Sequence, residues 1–254
     1  MIPIIKPWLG DEEAEAAAAA VRSGWVAQGP RVAQFEAAFC EVTGAEHAIA
    51  LSSCTTALHL ALIGAGVGPG DGVLVPSLSF IATTNAVAYV GATPIFADVD
   101  AGTANLTVAT LDAARTPACK AVIVAHQVGM PANVVAIRAW CDSHGLALIE
   151  DAACAIGSRL DDHMIGAHSD FVAFSFHPRK VLTTGEGGML TVRDTEIATR
   201  LRQLRQHAMS VSATARHGAK GVVLPTFGEV GYNYRMTDIQ AAIGLVQLSK
   251  LPAI

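Results

Sequence analysis

The apolar positions of the chain follow a helical period first and a strand period afterwards. Behind Pro30, Val32, Phe35, Phe39 and Val42 recur at helical spacing and Gly44 supplies a stop, which predicts an amphipathic helix. Ahead of it, the alanines at 16–20 lie in a second helical pattern, with Asp11 as its cap and Gly24 as its end. From there short apolar runs predict strands over 47–51, 73–75, 94–97, 121–125, 146–149 and 171–174. Helix-length segments over 55–63, 81–90 and 133–144 separate most of them. Strands alternating with helices predict an α/β fold, a three-layer sandwich with a mainly parallel sheet covered on both faces. Such sheets bind ligands beyond the carboxyl ends of their strands, so chemistry is sought there. Residues 72–97 carry no charged side chain, but Pro76, Ser77, Ser79, Thr83, Thr84, Asn85 and Pro94 interrupt the run. That is a buried strand–helix–strand unit, not a membrane span.

Composition narrows the function classes. The 254 residues are 52% hydrophobic and 15% charged, with a net charge of −5, which excludes a disordered polyelectrolyte and supplies ample core. No dense Lys/Arg stripe exists, so nucleic acid is not the expected partner. The start, MIPIIKPWLGDEE, lacks the basic and long apolar regions of a signal peptide. Cys40, Cys54, Cys119, Cys141 and Cys154 are odd in number, widely spaced and free of any CxxC, and read as reduced thiols of a cytoplasmic protein. His163 and His168, beside Asp161 and Asp162, read as a solvated turn, and no metal site is expected.

Three strand ends carry candidate chemistry. The run Leu51-Ser52-Ser53-Cys54-Thr55-Thr56-Ala57-Leu58 leads a strand into a helix, where backbone N–H groups and hydroxyls can face an anion; taken alone, a plain Ser/Thr cap is the favoured reading. Gly64, Gly66, Gly68 and Gly70 follow a helix and do not spell GxGxxG, so they read as a helix stop and turn. Asp151 ends the apolar strand Leu146-Ala147-Leu148-Ile149-Glu150, where a carboxylate needs a strong partner or serves as a cap. Lys180 stands between the apolar run Phe174-Ser175-Phe176 and the glycine-rich return Thr183-Thr184-Gly185-Glu186-Gly187-Gly188-Met189. A Lys beside apolar groups and other cations has a lowered amine pKa, which suits a Schiff base. An anion cradle, a buried Asp and a Lys are the three handles that pyridoxal phosphate requires.

The chain resembles the DegT-type nucleotide-sugar aminotransferases, which are fold-type I pyridoxal-phosphate enzymes. The likeness runs through seven segments in order: GWVAQGP from Gly24, SSCTTALHLAL from Ser52, PSLSFIATTN from Pro76, EDAA from Glu150, FSFHPRK from Phe174, TTGEGGM from Thr183 and GYNYRMTD from Gly231. The resemblance implies that residues 1–254 are the pyridoxal-phosphate-binding large domain, and relatives continue into a small C-terminal domain beyond the point where this chain stops. It implies Lys180 as the Schiff-base lysine and Asp151 as the partner of the pyridinium nitrogen. Thr55, Thr56 and Ser175 would hold the phosphate, with Phe80 on one face of the ring and Ala153 on the other. Asn233 would enter the neighbouring subunit's phosphate site, which implies a homodimer with shared active sites. The chain departs from the family in Cys154, where Gln or His is usual, in Arg179, and in the loop His126-Gln127-Val128-Gly129.

The expected function is transfer of an amino group, from glutamate as in relatives, to the keto sugar of a nucleotide sugar, in polysaccharide or antibiotic-sugar biosynthesis. Alternatives are a catalytically impaired cofactor-binding or regulatory relative, and an aminotransferase for a cyclitol or other ketone. Dehydrating relatives replace the lysine by histidine, which Lys180 argues against. A NAD-linked dehydrogenase lacks its dinucleotide fingerprint.

Overall fold

In the computed structural model, residues 5–167, 169–211, 221–222 and 224–254 are described, and His168 lies outside them. The main sheet has seven strands: β1 (His47–Leu51), β2 (Gly72–Pro76), β3 (Thr93–Ala97), β4 (Cys119–Ala125), β5 (Ala147–Asp151), β8 (Phe171–Ser175) and β9 (Gly188–Val192). A separate small hairpin comprises β6 (Arg159–Leu160) and β7 (His163–Met164), where the sequence suggested only a turn. Strand order in the main sheet is β1-β9-β8-β5-β4-β2-β3. Every pairing from β3 to β8 is parallel, and β9 alone runs antiparallel to both its neighbours.

Period-two alternation on the strands sorts the core into two faces. Ile49, Leu51, Val73, Val75, Ile123 and Ile149 pack on α3 (Cys54–Gly64), α4 (Ile81–Tyr89) and α7 (Thr195–Leu204). On the other face, Ala48, Ala50, Val172 and Phe174 meet α2 (Pro30–Thr43) and α8 (Asp238–Ser249). Leu74, Val122, Val124 and Leu148 on that face meet α5 (Val108–Ala114) and α6 (Val134–His144). The sandwich expected from the apolar pattern is therefore present, with helices covering both faces.

Two local expectations change. The first helix, α1 (Asp11–Arg22), is capped by Gly10 and not by Asp11. The Glu13 carboxylate accepts from Gly10 N–H at 2.8 Å and satisfies the terminus, which leaves Asp11 inside the first turn with its charge toward the positive end of the helix. The glycine-rich return also ends sooner than its composition suggests, because Gly188 already belongs to β9. A Cβ at Gly188 would lie 2.4 Å from the Ser53 carbonyl carbon, so only glycine lets β9 pass this close to the start of α3.

Candidate active site

The site is built where β1, β5 and β8 end. β1 leads through Ser52 into α3, whose N-cap is Ser53 with an extended backbone. Ser53 Oγ accepts from Thr56 N–H at 3.2 Å, and Thr56 Oγ1 donates to the Ser53 carbonyl at 2.8 Å. The cap uses the Thr56 hydroxyl, while the N–H groups of Cys54 and Thr55 have no acceptor within the helix. They supply the anion-binding end of the site.

Asp151 closes β5 and is buried. Its Oδ2 accepts from Thr83 Oγ1 at 2.8 Å, and its Oδ1 accepts from Ala153 N–H at 3.2 Å and from the Cys54 thiol at 3.9 Å. Because Thr83 spends its proton on Asp151, the Ser79 hydroxyl 2.8 Å away donates to Thr83. Burial, and then the charge of Asp151, push the Cys54 thiol well above its ordinary pKa, so it remains a neutral S–H donor.

Lys180 lies in the turn after β8, its backbone N–H donating to the His177 carbonyl at 2.8 Å. Its Nζ donates to Cys154 Sγ at 3.2 Å. A cavity of about 430 Å³ brings Ser53, Cys54, Thr55, Phe80, Asp151, Ala153, Ser175 and Lys180 together. Phe80 is the N-cap of α4 and is 78% exposed, a ring held out where a large apolar residue would otherwise be covered.

Of the residues expected from the sequence, Thr55, Phe80, Asp151, Ala153, Ser175 and Lys180 line this cavity. Thr56 is engaged in the cap. Cys154 sits behind Lys180 and lines a neighbouring groove. Asn233 is exposed and away from the cavity, bridged to Gln206. Its segment is held to the end of β1 by the Leu51–Arg235 bridge and by a 2.9 Å bond from Ser52 N–H to the Tyr234 carbonyl. Sequence reasoning missed Thr83 and Cys54 as partners of Asp151, and Ser79 as the donor to Thr83. The Ser79–Thr83 spacing of one helical turn at the start of α4 was the available signal.

The donor set fits pyridoxal phosphate. An anion cradle, an acid that pairs with no cation among the described residues and an amine stand in one cavity, between an exposed ring and a small residue that leaves room for a flat group.

Residues 7–254 match the DegT/DnrJ/EryC1/StrS aminotransferase family. The chain is 44% identical over 250 residues to the spore coat polysaccharide biosynthesis protein SpsC of Bacillus subtilis (strain 168), covering 98% of this chain and 64% of SpsC. It is similar to the crystal structure of the aminotransferase TlmJ from Streptoalloteichus hindustanus, with a TM-score of 0.91 and 40% identity over 100% of this chain and 67% of that one. It is also similar to Spr1654 from Streptococcus pneumoniae in its PLP form, with a TM-score of 0.90 and 28% identity over 100% of this chain and 67% of that one.

Proposed function

The chain belongs to the DegT/DnrJ/EryC1/StrS aminotransferase family, and on that premise we propose that it binds pyridoxal 5′-phosphate and transfers an amino group from glutamate to the keto sugar of a nucleotide sugar. The observation that carries this reading is the meeting of Lys180, Asp151 and the start of α3 in one cavity. Kinship to SpsC, a polysaccharide biosynthesis protein, supports a sugar as the acceptor. On this reading residues 1–254 are the cofactor-binding large domain, and the protein works in polysaccharide or antibiotic-sugar biosynthesis in the cytoplasm.

When bound, the cofactor supplies a carbon that bonds to amines and a protonated ring that draws electrons from the bond being broken. The chain supplies the rest. Thr55, Ser175 and the N–H groups at the start of α3 hold the phosphate. Asp151, itself fixed by Thr83 and Ala153 N–H, would pair with the ring nitrogen. Phe80 and Ala153, which line the cavity, would hold the ring between them. Lys180 Nζ takes the proton from the donor's α-carbon and later returns one, with Cys154 Sγ orienting the amine between those steps. Asn233, exposed on its bridged segment, reaches the phosphate site of a second copy in a homodimer.

Two experiments test this. Borohydride reduction of the loaded protein followed by peptide mapping is expected to leave the phosphopyridoxyl group on Lys180; finding it on Lys120 or Lys250 instead overturns the assignment. Incubation with glutamate and a panel of nucleotide keto sugars, read by mass spectrometry, is expected to give an amino sugar. Amination of cyclitol ketones alone would replace the acceptor, and no visible absorption after adding cofactor would sink the reading.

A further inference from the structure

We propose that the buried His126–Glu150 pair is a charge-positioning element for Asp151: Glu150 is a carboxylate whose charge, lodged behind Asp151, keeps the cofactor's ring nitrogen protonated. The inference rests on the cofactor reading above and concerns residues given no part in it.

On β5, Ile149 and Asp151 face α3 and α4, while Leu148 and Glu150 face the α6 side of the sheet. The side chains of His126 and Glu150 are both 0% exposed, and His126 Nε2 lies 2.7 Å from Glu150 Oε2. On the other side of the ring, Ala132 N–H donates to His126 Nδ1 at 3.1 Å. A ring nitrogen that accepts a hydrogen bond carries no proton, so the proton of this imidazole is on Nε2 and His126 is neutral. With His126 neutral, the charge that we propose for the pair is that of the Glu150 carboxylate, and Glu150 Oε1 has no hydrogen-bond partner among the described residues.

The pair is joined to Asp151 through the backbone. His126 N–H donates to the Asp151 carbonyl at 3.1 Å, one step beyond the paired residues Ala125 and Asp151. Asp151 in turn is held by a hydroxyl, a thiol and a backbone N–H. Two acids thus stand consecutively on one buried strand, and among the described residues no Lys or Arg forms an ion pair with either. Adjacent like charges in a low dielectric raise each other's cost, and a cation placed against Asp151 relieves both. The pyridine nitrogen becomes that cation. A brace whose only task was to join β4 to β5 would need neither the net charge nor the orphaned oxygen.

The test loads the full chain with pyridoxal phosphate isotope-labelled at the ring nitrogen and reads that nitrogen's chemical shift by NMR, with kcat and KM alongside. Glu150→Gln keeps the shape and an acceptor for His126 Nε2–H while removing the charge. The expected result is a shift toward neutral pyridine corresponding to about a tenfold fall in the protonated-to-neutral ratio. kcat falls, KM changes little, and the melting temperature stays within a few degrees. His126→Phe strips Glu150 of the donor that holds its carboxylate and moves the signal in the same direction; His126→Gln keeps a donor and restores the wild-type shift. If Glu150→Gln does not fold, the contrast between the two His126 variants decides. An unchanged ring-nitrogen shift in the folded Glu150→Gln or His126→Phe protein, with only stability lost, overturns the proposal. Failure of the cofactor reading itself is seen separately, as no bound label in the wild-type protein.

Discussion

Buried acids occur in two regions of this molecule and are treated in opposite ways. Where α1, α2 and α8 clasp one another, each acid is answered from within the chain. Asp238 accepts from the N–H groups of Gly29, Arg31 and Val32 at 2.8, 3.1 and 3.0 Å, which serves the whole first turn of α2 because Pro30 has no N–H to offer. Glu13 takes Lys250 Nζ at 2.7 Å and Gln247 Nε2 at 2.9 Å, and Glu36 takes the Arg205 guanidinium and Ala50 N–H. At the end of β5, Asp151 receives neutral donors as Asp238 does, but among the described residues neither it nor Glu150 has a cation like those on Glu13 and Glu36, and one Glu150 oxygen receives no donor. Charge buried for the fold finds its partner in the chain; charge buried for chemistry leaves that place to a ligand.

The sharpest way to break this contrast is at the amine. Lys180→Ala is expected to lower transamination by about 10³-fold or more while leaving the thermal midpoint within a few degrees, since the side chain's one polar contact among the described residues is to Cys154 Sγ. Turnover assays with parallel melts check it, and wild-type turnover would remove Lys180 from the reaction. Asp151→Asn comes next. It retains an acceptor for Thr83 and loses the charge, so turnover and cofactor retention are expected to drop about 100-fold with folding stability unchanged. Cofactor titration and urea unfolding separate the two effects, and a large loss of stability would place Asp151 with the structural acids.

Substitution in the clasp should show the reverse. Asp238→Ala leaves three N–H groups unanswered and is expected to cost about 3 kcal/mol in urea unfolding, with cofactor bound normally per folded molecule. Glu13 gives the smallest effect, visible in acid. Burial acts to raise its pKa, but hydrogen bonds from Lys250, Gln247 and Gly10 outweigh it and bring the carboxyl from 4.5 down to about 2. A carboxyl depressed in the folded state adds stability above its unfolded value and loses it as pH falls. The stability of the wild-type protein should therefore decline between pH 4.5 and about 2 more steeply than that of Glu13→Gln. Identical acid-unfolding curves would count against the clasp.

Much of this was legible in the chain. The six strands read from short apolar runs are present, as are the helices marked by Pro30 with Gly44 and by Asn133 with Gly145. The misses have physical causes. α8 is apolar nearly all round because it is covered by both α1 and α2, so it has no polar stripe to betray a helical period. β9 is a fully buried run of five residues that opens on the last glycine of the return, and the glycines hid it. α7 was readable, with Asp194 as cap and Ala198, Leu201 and Leu204 at helical spacing, and was overlooked. In the site, Lys180 and Asp151 could be named by the residue types at strand ends. Their supports could not: the Thr83–Asp151 and His126–Glu150 contacts join residues 68 and 24 positions apart, and no local pattern records such pairs.

The placement of β9 also constrains the order in which the molecule can be assembled. β1 is an edge strand whose neighbour in the sheet is β9. The ribosome delivers β1 and the start of α3 early, yet the strand that anchors them comes out only after β2 to β8 have been made. A nascent chain that ends before residue 192 exposes the apolar flank of β1 as an open edge, a form prone to wrong pairing. The phosphate cradle therefore comes into being late, when β9 slots between β1 and β8. Pulse-labelled hydrogen exchange during refolding should find the amides of residues 47–51 protected no sooner than those of residues 188–192, and earlier protection of β1 would contradict this order of assembly.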